Sequence, residues 1–186
     1  MLIKKILSAL LPFTFAVSCF AAPPAQSPAW KAKLNAAMPL MGHRNWVLVV
    51  DSAYPLQTSP GVETIETNAS QLEVVHAVLD TIHASIHVRP IIFMDAELPF
   101  ITEQESPGVT AYRNSIAKLL SPLPVVQKLH EQLIADIGEA GKTFHVLVLK
   151  TNMAIPYTSV FIRLDCKYWG AEQEQDLRDR MKVAGK

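Results

Sequence analysis

Five successive apolar residues, Trp46-Val47-Leu48-Val49-Val50, constrain this chain more than any other stretch. A Gly42-His43 pair leads into the run, and Asp51 with a turn containing Pro55 closes it. A Val-rich run bounded by polar turn residues reads as a strand buried on both faces, the kind found inside α/β sheets. Ligands of open α/β sheets sit beyond the carboxyl ends of the strands, which is where Asp51 falls. On spacing alone the plainer reading, an aspartate closing a strand in a turn, is the better one.

The chain has 186 residues, 49% of them hydrophobic, enough for one well-packed core. Its formal net charge is zero, without a clustered basic stretch, which argues against a nucleic-acid partner. Lys4 and Lys5 precede an apolar stretch from Ile6 to Phe20, with Cys19 and Ala21 at the −3 and −1 positions of a cleavage site. This pattern is that of a secretory signal peptide over residues 1–21. It implies a periplasmic or secreted protein, with a linker at 22–26 and a domain from 27 to 186. A second reading stays open, because Ala16-Val17-Ser18-Cys19 also resembles a lipobox that would anchor the chain by a lipid at Cys19. The apolar stretch falls short of the roughly 20 residues of a membrane span. Either route leaves Cys166 as the single thiol of the domain, so no internal disulfide is expected.

The domain is expected to open with a helix capped by Ser27-Pro28, its face formed by Trp30, Leu34, Met38 and Met41 and its end at Gly42. After the strand at 46–50, Ser70-Gln71-Leu72-Glu73 is a capping-box pattern. The helix it opens would bury Leu72, Val75, Leu79, Ile82 and Ile86. Pro90 to Asp95 reads as a second buried strand ending in a carboxylate, and Tyr112 to Leu120 as a helix. Ser121-Pro122 would begin a further helix carrying Val126, Leu129, Leu133 and Ile137, with His130 near the centre of its apolar face. Phe144–Leu149 and Ser159–Leu164 are strand candidates, and a polar helix closes the chain over about 171–181. Strands alternating with helices argue an α/β layered fold.

His76, Asp80, His83 and His87, at offsets of zero, four, seven and eleven, would form one helical stripe that could hold zinc. The Glu of a zincin helix is missing, and a solvated helix flank fits better. No Gly-rich phosphate loop, Cys-pair metal motif or Gly-x-Ser-x-Gly elbow occurs. Cys166 has no activating partner in sequence and reads as packed or idle.

Met41-Gly42-His43, followed by Asp51 and then Pro55, resembles the signature of the RbsD/FucU family of D-ribose pyranases and L-fucose mutarotases. Tyr112-Arg113-Asn114 resembles a segment of the fucose branch, and His130-Glu131-Gln132-Leu133 a segment of the ribose branch that carries a sugar-binding histidine. The two last strands with the loop to Tyr157 are similar to the family's C-terminal portion. The resemblance implies an RbsD-like layered α/β fold, with a mostly parallel central sheet flanked by helices. It implies interconversion of monosaccharide anomers or ring forms without cofactor or metal. By the same resemblance His43 would be the proton donor, while Asp51, Arg113, His130, Tyr157, Thr158 and Ser159 would hold the sugar.

Those residue types suit the chemistry. Opening a cyclic hemiacetal takes a proton from the anomeric hydroxyl and gives one to the ring oxygen. Histidine can do either at neutral pH. Eight extended residues would separate His43 from Asp51 by up to about 26 Å. The resemblance implies that they meet between subunits of a homo-oligomer. Three departures from the family stand out. Ser159 occupies the place of an asparagine, the loop Lys150–Pro156 is longer, and residues from about 165 onward have no counterpart. A non-catalytic, exported monosaccharide-binding protein is the second functional reading.

Overall fold

The computed structural model describes residues 28–185. The segments expected to be signal peptide and linker, and the capping Ser27, lie outside the described residues. Helix α1 (Ala29–Ala37) runs into a 3₁₀ turn (Met38–Leu40), and strands β1 (Trp46–Val50) and β2 (Val62–Glu66) follow. Next come α2 (Gln71–Ala84), β3 (Val88–Asp95), a 3₁₀ turn (Leu98–Phe100), α3 (Val109–Leu120) and β4 (Val125–Lys128). The chain then forms α4 (His130–Ala140), β5 (Val146–Lys150), β6 (Val160–Cys166) and α5 (Ala171–Val183).

The six strands make one sheet in the order β2-β5-β1-β6-β3-β4. The pairs β1–β5, β2–β5 and β3–β4 are parallel, while β6 runs antiparallel to both β1 and β3. Every strand but β6 therefore points the same way, the mostly parallel sheet that was expected. Alternation along the strands divides the core in two. Val47, Val49, Leu147, Leu149, Ile162 and Ile92 pack on one face with residues of α1, α2 and α3. On the other face Trp46, Leu48, Val148, Phe161 and Phe93 pack with Leu133 and Ile137 of α4. Strand β1 is central and covered on both sides, so all five of its residues are buried.

Several local expectations need correction. Helix α1 stops at Ala37, because Pro39 lacks the amide that would continue the ladder, although Met38 and Met41 are still buried as expected. Helix α2 is capped by Ser70, whose Oγ accepts from the Glu73 amide. Its buried face is Val74, Val75, Val78 and Ile82, turned away from the Leu72–Leu79 line, and Ile86 lies beyond the helix in solvent. No helix begins at Ser121. Pro122 and Pro124 interrupt the backbone there, the β-branched pair Val125-Val126 joins the sheet edge as β4, and α4 starts only at His130. Strand β2 was not anticipated, although Val62, Thr64 and Ile65 carry strand-forming side chains. Among the described residues, no helix is long and apolar enough to cross a membrane.

Candidate functional site

Because five strands share a direction, their carboxyl ends gather at one edge of the sheet. Strand β1 delivers Asp51 there, β3 delivers Asp95, and β4 leads into His130. Antiparallel β6 begins at the same edge, which brings Tyr157, Thr158 and Ser159 alongside.

Asp51 Oδ1 accepts the Ala53 amide at 2.9 Å, closing a turn, and Oδ2 accepts the Ser159 hydroxyl at 3.2 Å. Asp95 is fully buried at its side chain, and its Oδ1 lies 3.1 Å from His130 Nδ1. Its Oδ2 is buried without a hydrogen-bond partner among the described residues. Burial pushes the Asp95 carboxyl up to about 6, against the downward pull of His130 and with further upward pushes from the charges of Glu97 and Asp51. The His130 amide donates to both oxygens of Glu97, at 3.0 and 3.1 Å, so a carboxylate caps the N-terminus of α4. The His130 ring meets the Tyr157 ring edge-on, with centroids 5.4 Å apart.

Tyr157 has φ of 58°, a left-handed conformation that a non-glycine residue adopts at a cost. Tyr54, buried beside both aspartates, has its phenol pushed up by burial and then by the charges of Asp95 and Asp51. Lys150 Nζ donates to the Tyr54 carbonyl at 2.8 Å.

The remaining expected site residues are placed less simply. The Thr158 side chain is turned to the Ile155 carbonyl, 2.8 Å away, and its own carbonyl accepts from Gln71 and Tyr112. Arg113 donates to the carbonyls of Leu98, Pro99 and Ile101, bracing the turn that follows β3. Arg113 and Asp95 both line a cleft of about 350 Å³ between α3, β3 and β4.

His43 stands at the opposite edge of the sheet, since it precedes β1 and Asp51 follows it. There its Nδ1 lies 3.0 Å from Asp165 Oδ1, while Arg89 grips Asp165 Oδ2 through Nε at 2.8 Å and Nη2 at 2.6 Å. Burial works upward on Asp165, but Arg89, a backbone amide and His43 outweigh it and hold the carboxyl below its usual range. His43, Arg89 and Asp165 border an open groove of about 740 Å³. The zinc-like stripe is broken up: α2 ends at Ala84, and His87 is bonded to Ser85 Oγ and the Met41 carbonyl, both at 2.9 Å. Asp95, Glu97 and Tyr54 were not among the candidate site residues. For Asp95 the signal was present, since it closes the apolar run of β3 as Asp51 closes that of β1.

No protein-family model matches the sequence, and no curated protein matches it. Solved structures do. Bacillus subtilis RbsD complexed with D-ribose superposes with a TM-score of 0.51 at 13% identity, covering 78% of this chain and 98% of that one. The fucose mutarotase of Streptococcus pneumoniae, in complex with L-fucose, gives 0.50 at 14% identity, over 75% of this chain and 92% of its own. FucU from Bifidobacterium longum gives 0.50 at 14%, over 72% and 94%. At such identities the likeness is one of fold, and the fold of this chain is that of RbsD and FucU.

Proposed function

We propose that this chain is an exported monosaccharide mutarotase or pyranase, which interconverts sugar anomers or ring forms by general acid–base catalysis. The observation that carries the reading is the convergence of Asp51, Ser159, Tyr157 and the Asp95–His130 pair at the carboxyl edge of the sheet. It occurs on the fold that RbsD adopts with D-ribose and the pneumococcal mutarotase with L-fucose.

Asp51 and Ser159 accept and donate hydrogen bonds to sugar hydroxyls, and the Tyr157 ring offers a face for the pyranose. Arg113 acts behind them by fixing the turn after β3. Thr158 contributes through its backbone, which Gln71 and Tyr112 hold in place. His43 is 55% exposed at its side chain and bonded through Nδ1 to Asp165, and in this reading it serves a site on a neighbouring copy. There it gives a proton to the ring oxygen as the hemiacetal opens, and takes it back on reclosure. The reaction needs no change of oxidation state, so acid–base groups suffice. Such groups typically contribute about 10²–10⁴-fold, enough for a reaction already appreciable in water.

A second reading, a sugar-binding protein without catalysis, draws on Ser159, whose single hydroxyl stands where the resemblance expects an amide. NMR exchange spectroscopy of anomeric protons separates the two, using the domain from Ala22 onward with ribose, fucose, galactose and glucose. Exchange faster than buffer that disappears in His43→Ala supports the enzyme. A folded protein that binds a sugar without accelerating its exchange supports the binding reading.

A further inference from the structure

Hemiacetal opening needs a proton acceptor as well as a donor, and the carboxyl edge holds a second histidine suited to that part. The geometry points to His130 as the base that takes the anomeric hydroxyl proton, with Asp95 as its positioning residue. This rests on the mutarotase reading and adds to it, since the family resemblance gives His130 only a role in holding the sugar.

Three observations support the assignment. Asp95 is buried with Oδ1 3.1 Å from His130 Nδ1, and an ionised carboxylate can only accept, so it selects the tautomer with the proton on Nδ1. Nε2 then carries the lone pair. Among the described residues no hydrogen-bond partner occupies that nitrogen, and the side chain keeps 27% of its exposure. Finally, Asp95 Oδ2 is buried and unpartnered among the described residues, so the hydrogen bond from His130 Nδ1 at Oδ1 is what this carboxylate relies on. Around Asp95, Glu97 and Asp51 are anionic and Tyr54 and Tyr112 are phenols, while Arg113, which lines the same cleft, is engaged with the carbonyls of Leu98, Pro99 and Ile101. A proton taken up at Nε2 leaves a positive ring 3.1 Å from this buried carboxylate, a charge pair that forms only as the hydroxyl proton is removed. That difference between states is what lowers a barrier.

The step balances. His130 Nε2 takes the proton from O1, the O1–H electron pair becomes the C1=O1 bond, and the C1–O5 pair moves to O5. O5 receives the proton of the donor histidine. Rotation about the bond to the carbonyl carbon and reclosure return both protons, with no net consumption.

The test uses protein labelled with ¹⁵N at histidine, observed at pH 8 in the wild type and in Asp95→Asn, with anomeric exchange rate and sugar affinity measured on the same samples. The expected wild-type signature is a proton on His130 Nδ1. In Asp95→Asn the amide can donate to Nδ1, so the proton should move to Nε2. Exchange should then fall about 10²-fold or more while sugar affinity changes less than about threefold, because a misplaced tautomer disables the base. A wild-type proton on Nε2 overturns the inference without any variant, as does an Asp95→Asn protein that exchanges sugar at the wild-type rate. If Asp95→Asn does not fold, the wild-type tautomer decides. A wild type that accelerates no sugar defeats the mutarotase reading instead, a separate result.

Discussion

Gln71 Nε2 lies 2.9 Å from the carbonyl oxygen of Thr158, which ties the first turn of α2 to the segment that carries Tyr157 and Ser159. The same nitrogen donates to the Val49 carbonyl at 2.9 Å, and Gln71 Oε1 accepts from Thr151 Oγ1 at 2.6 Å. One fully buried amide thus joins the ends of β1 and β5 to the start of β6. Tyr112 adds a hydrogen bond from its hydroxyl to the Thr158 carbonyl at 2.7 Å. Removing a member of a buried network strands its partners, at about 1–3 kcal/mol for each group left unsatisfied. Gln71→Leu should therefore lose about 2–3 kcal/mol in urea unfolding and, in the mutarotase reading, weaken sugar binding by loosening the segment that carries Tyr157 and Ser159. Unchanged stability would mean that water or a shifted backbone replaces the amide.

Asp95 makes the site costly to maintain at neutral pH. Its carboxyl is raised to about 6 when folded, chiefly by burial, against about 3.9 when unfolded. Between those values the folded state holds the extra proton. The contribution of Asp95 to stability is fully present below the unfolded value and is lost as pH rises through 6. Asp95→Asn keeps the shape without the buried charge. It should be more stable than wild type at pH 7.5, by about 1–3 kcal/mol, and lose that advantage near pH 4. Denaturant titrations at the two pH values check this. Together with lower activity, the result would mark Asp95 as a residue held for function at the expense of stability.

The parts of this molecule that follow periodicity were legible in the sequence, and the parts that depend on sheet neighbours were not. The apolar run at 46–50 and the capping pattern at 70–73 specify β1 and the start of α2 by local chemistry. Strand β4 could not be read the same way, because Val125 and Val126 fit a helix face as well as an edge strand. What decides between them is pairing with β3, together with the prolines at 122 and 124. That error carried His130 from the head of α4 into the middle of a helix, and hid its contact with Asp95. The resemblance pointed to Asp51, His130 and Tyr157, and the fold places these three at one edge of the sheet. It did not identify Asp95, a carboxylate whose partner is 35 residues away.

Arg89 and His43 share Asp165, at opposite oxygens of one carboxylate. The carboxyl is held below its usual range in the folded state, so its contribution to stability is present above the unfolded value and is lost as pH falls through the folded one. Arg89→Gln should remove part of that contribution at pH 7. The deficit should be under about 1 kcal/mol, since Arg89 is 46% exposed. Comparison of urea midpoints should show the two proteins converging as pH falls through the folded value, below which Asp165 is protonated in both states. In the mutarotase reading the same change should slow anomeric exchange, because Asp165 then holds His43 less firmly. A variant with full activity would show that His43 needs no such support.

The separation of His43 from Asp51 by the length of β1, about 17 Å, yields the most direct test of an intersubunit site. His43→Ala leaves the carboxyl-edge cluster whole, and His130→Ala leaves His43 whole. Each homo-oligomer should be inactive. If a site takes His43 from a neighbouring copy, oligomers assembled from an equal mixture will contain interfaces where an intact cluster meets an intact His43. In a ring with one type of heterologous contact, half the clusters are intact and half of their neighbours supply His43, so about one quarter of the wild-type rate should return. Unfolding and refolding the two variants together, then recording anomeric exchange, gives the measurement. Recovery near that fraction requires both residues to act across a subunit boundary. A mixture that stays as inactive as its components, with mixed oligomers demonstrated by mass, would overturn the intersubunit site.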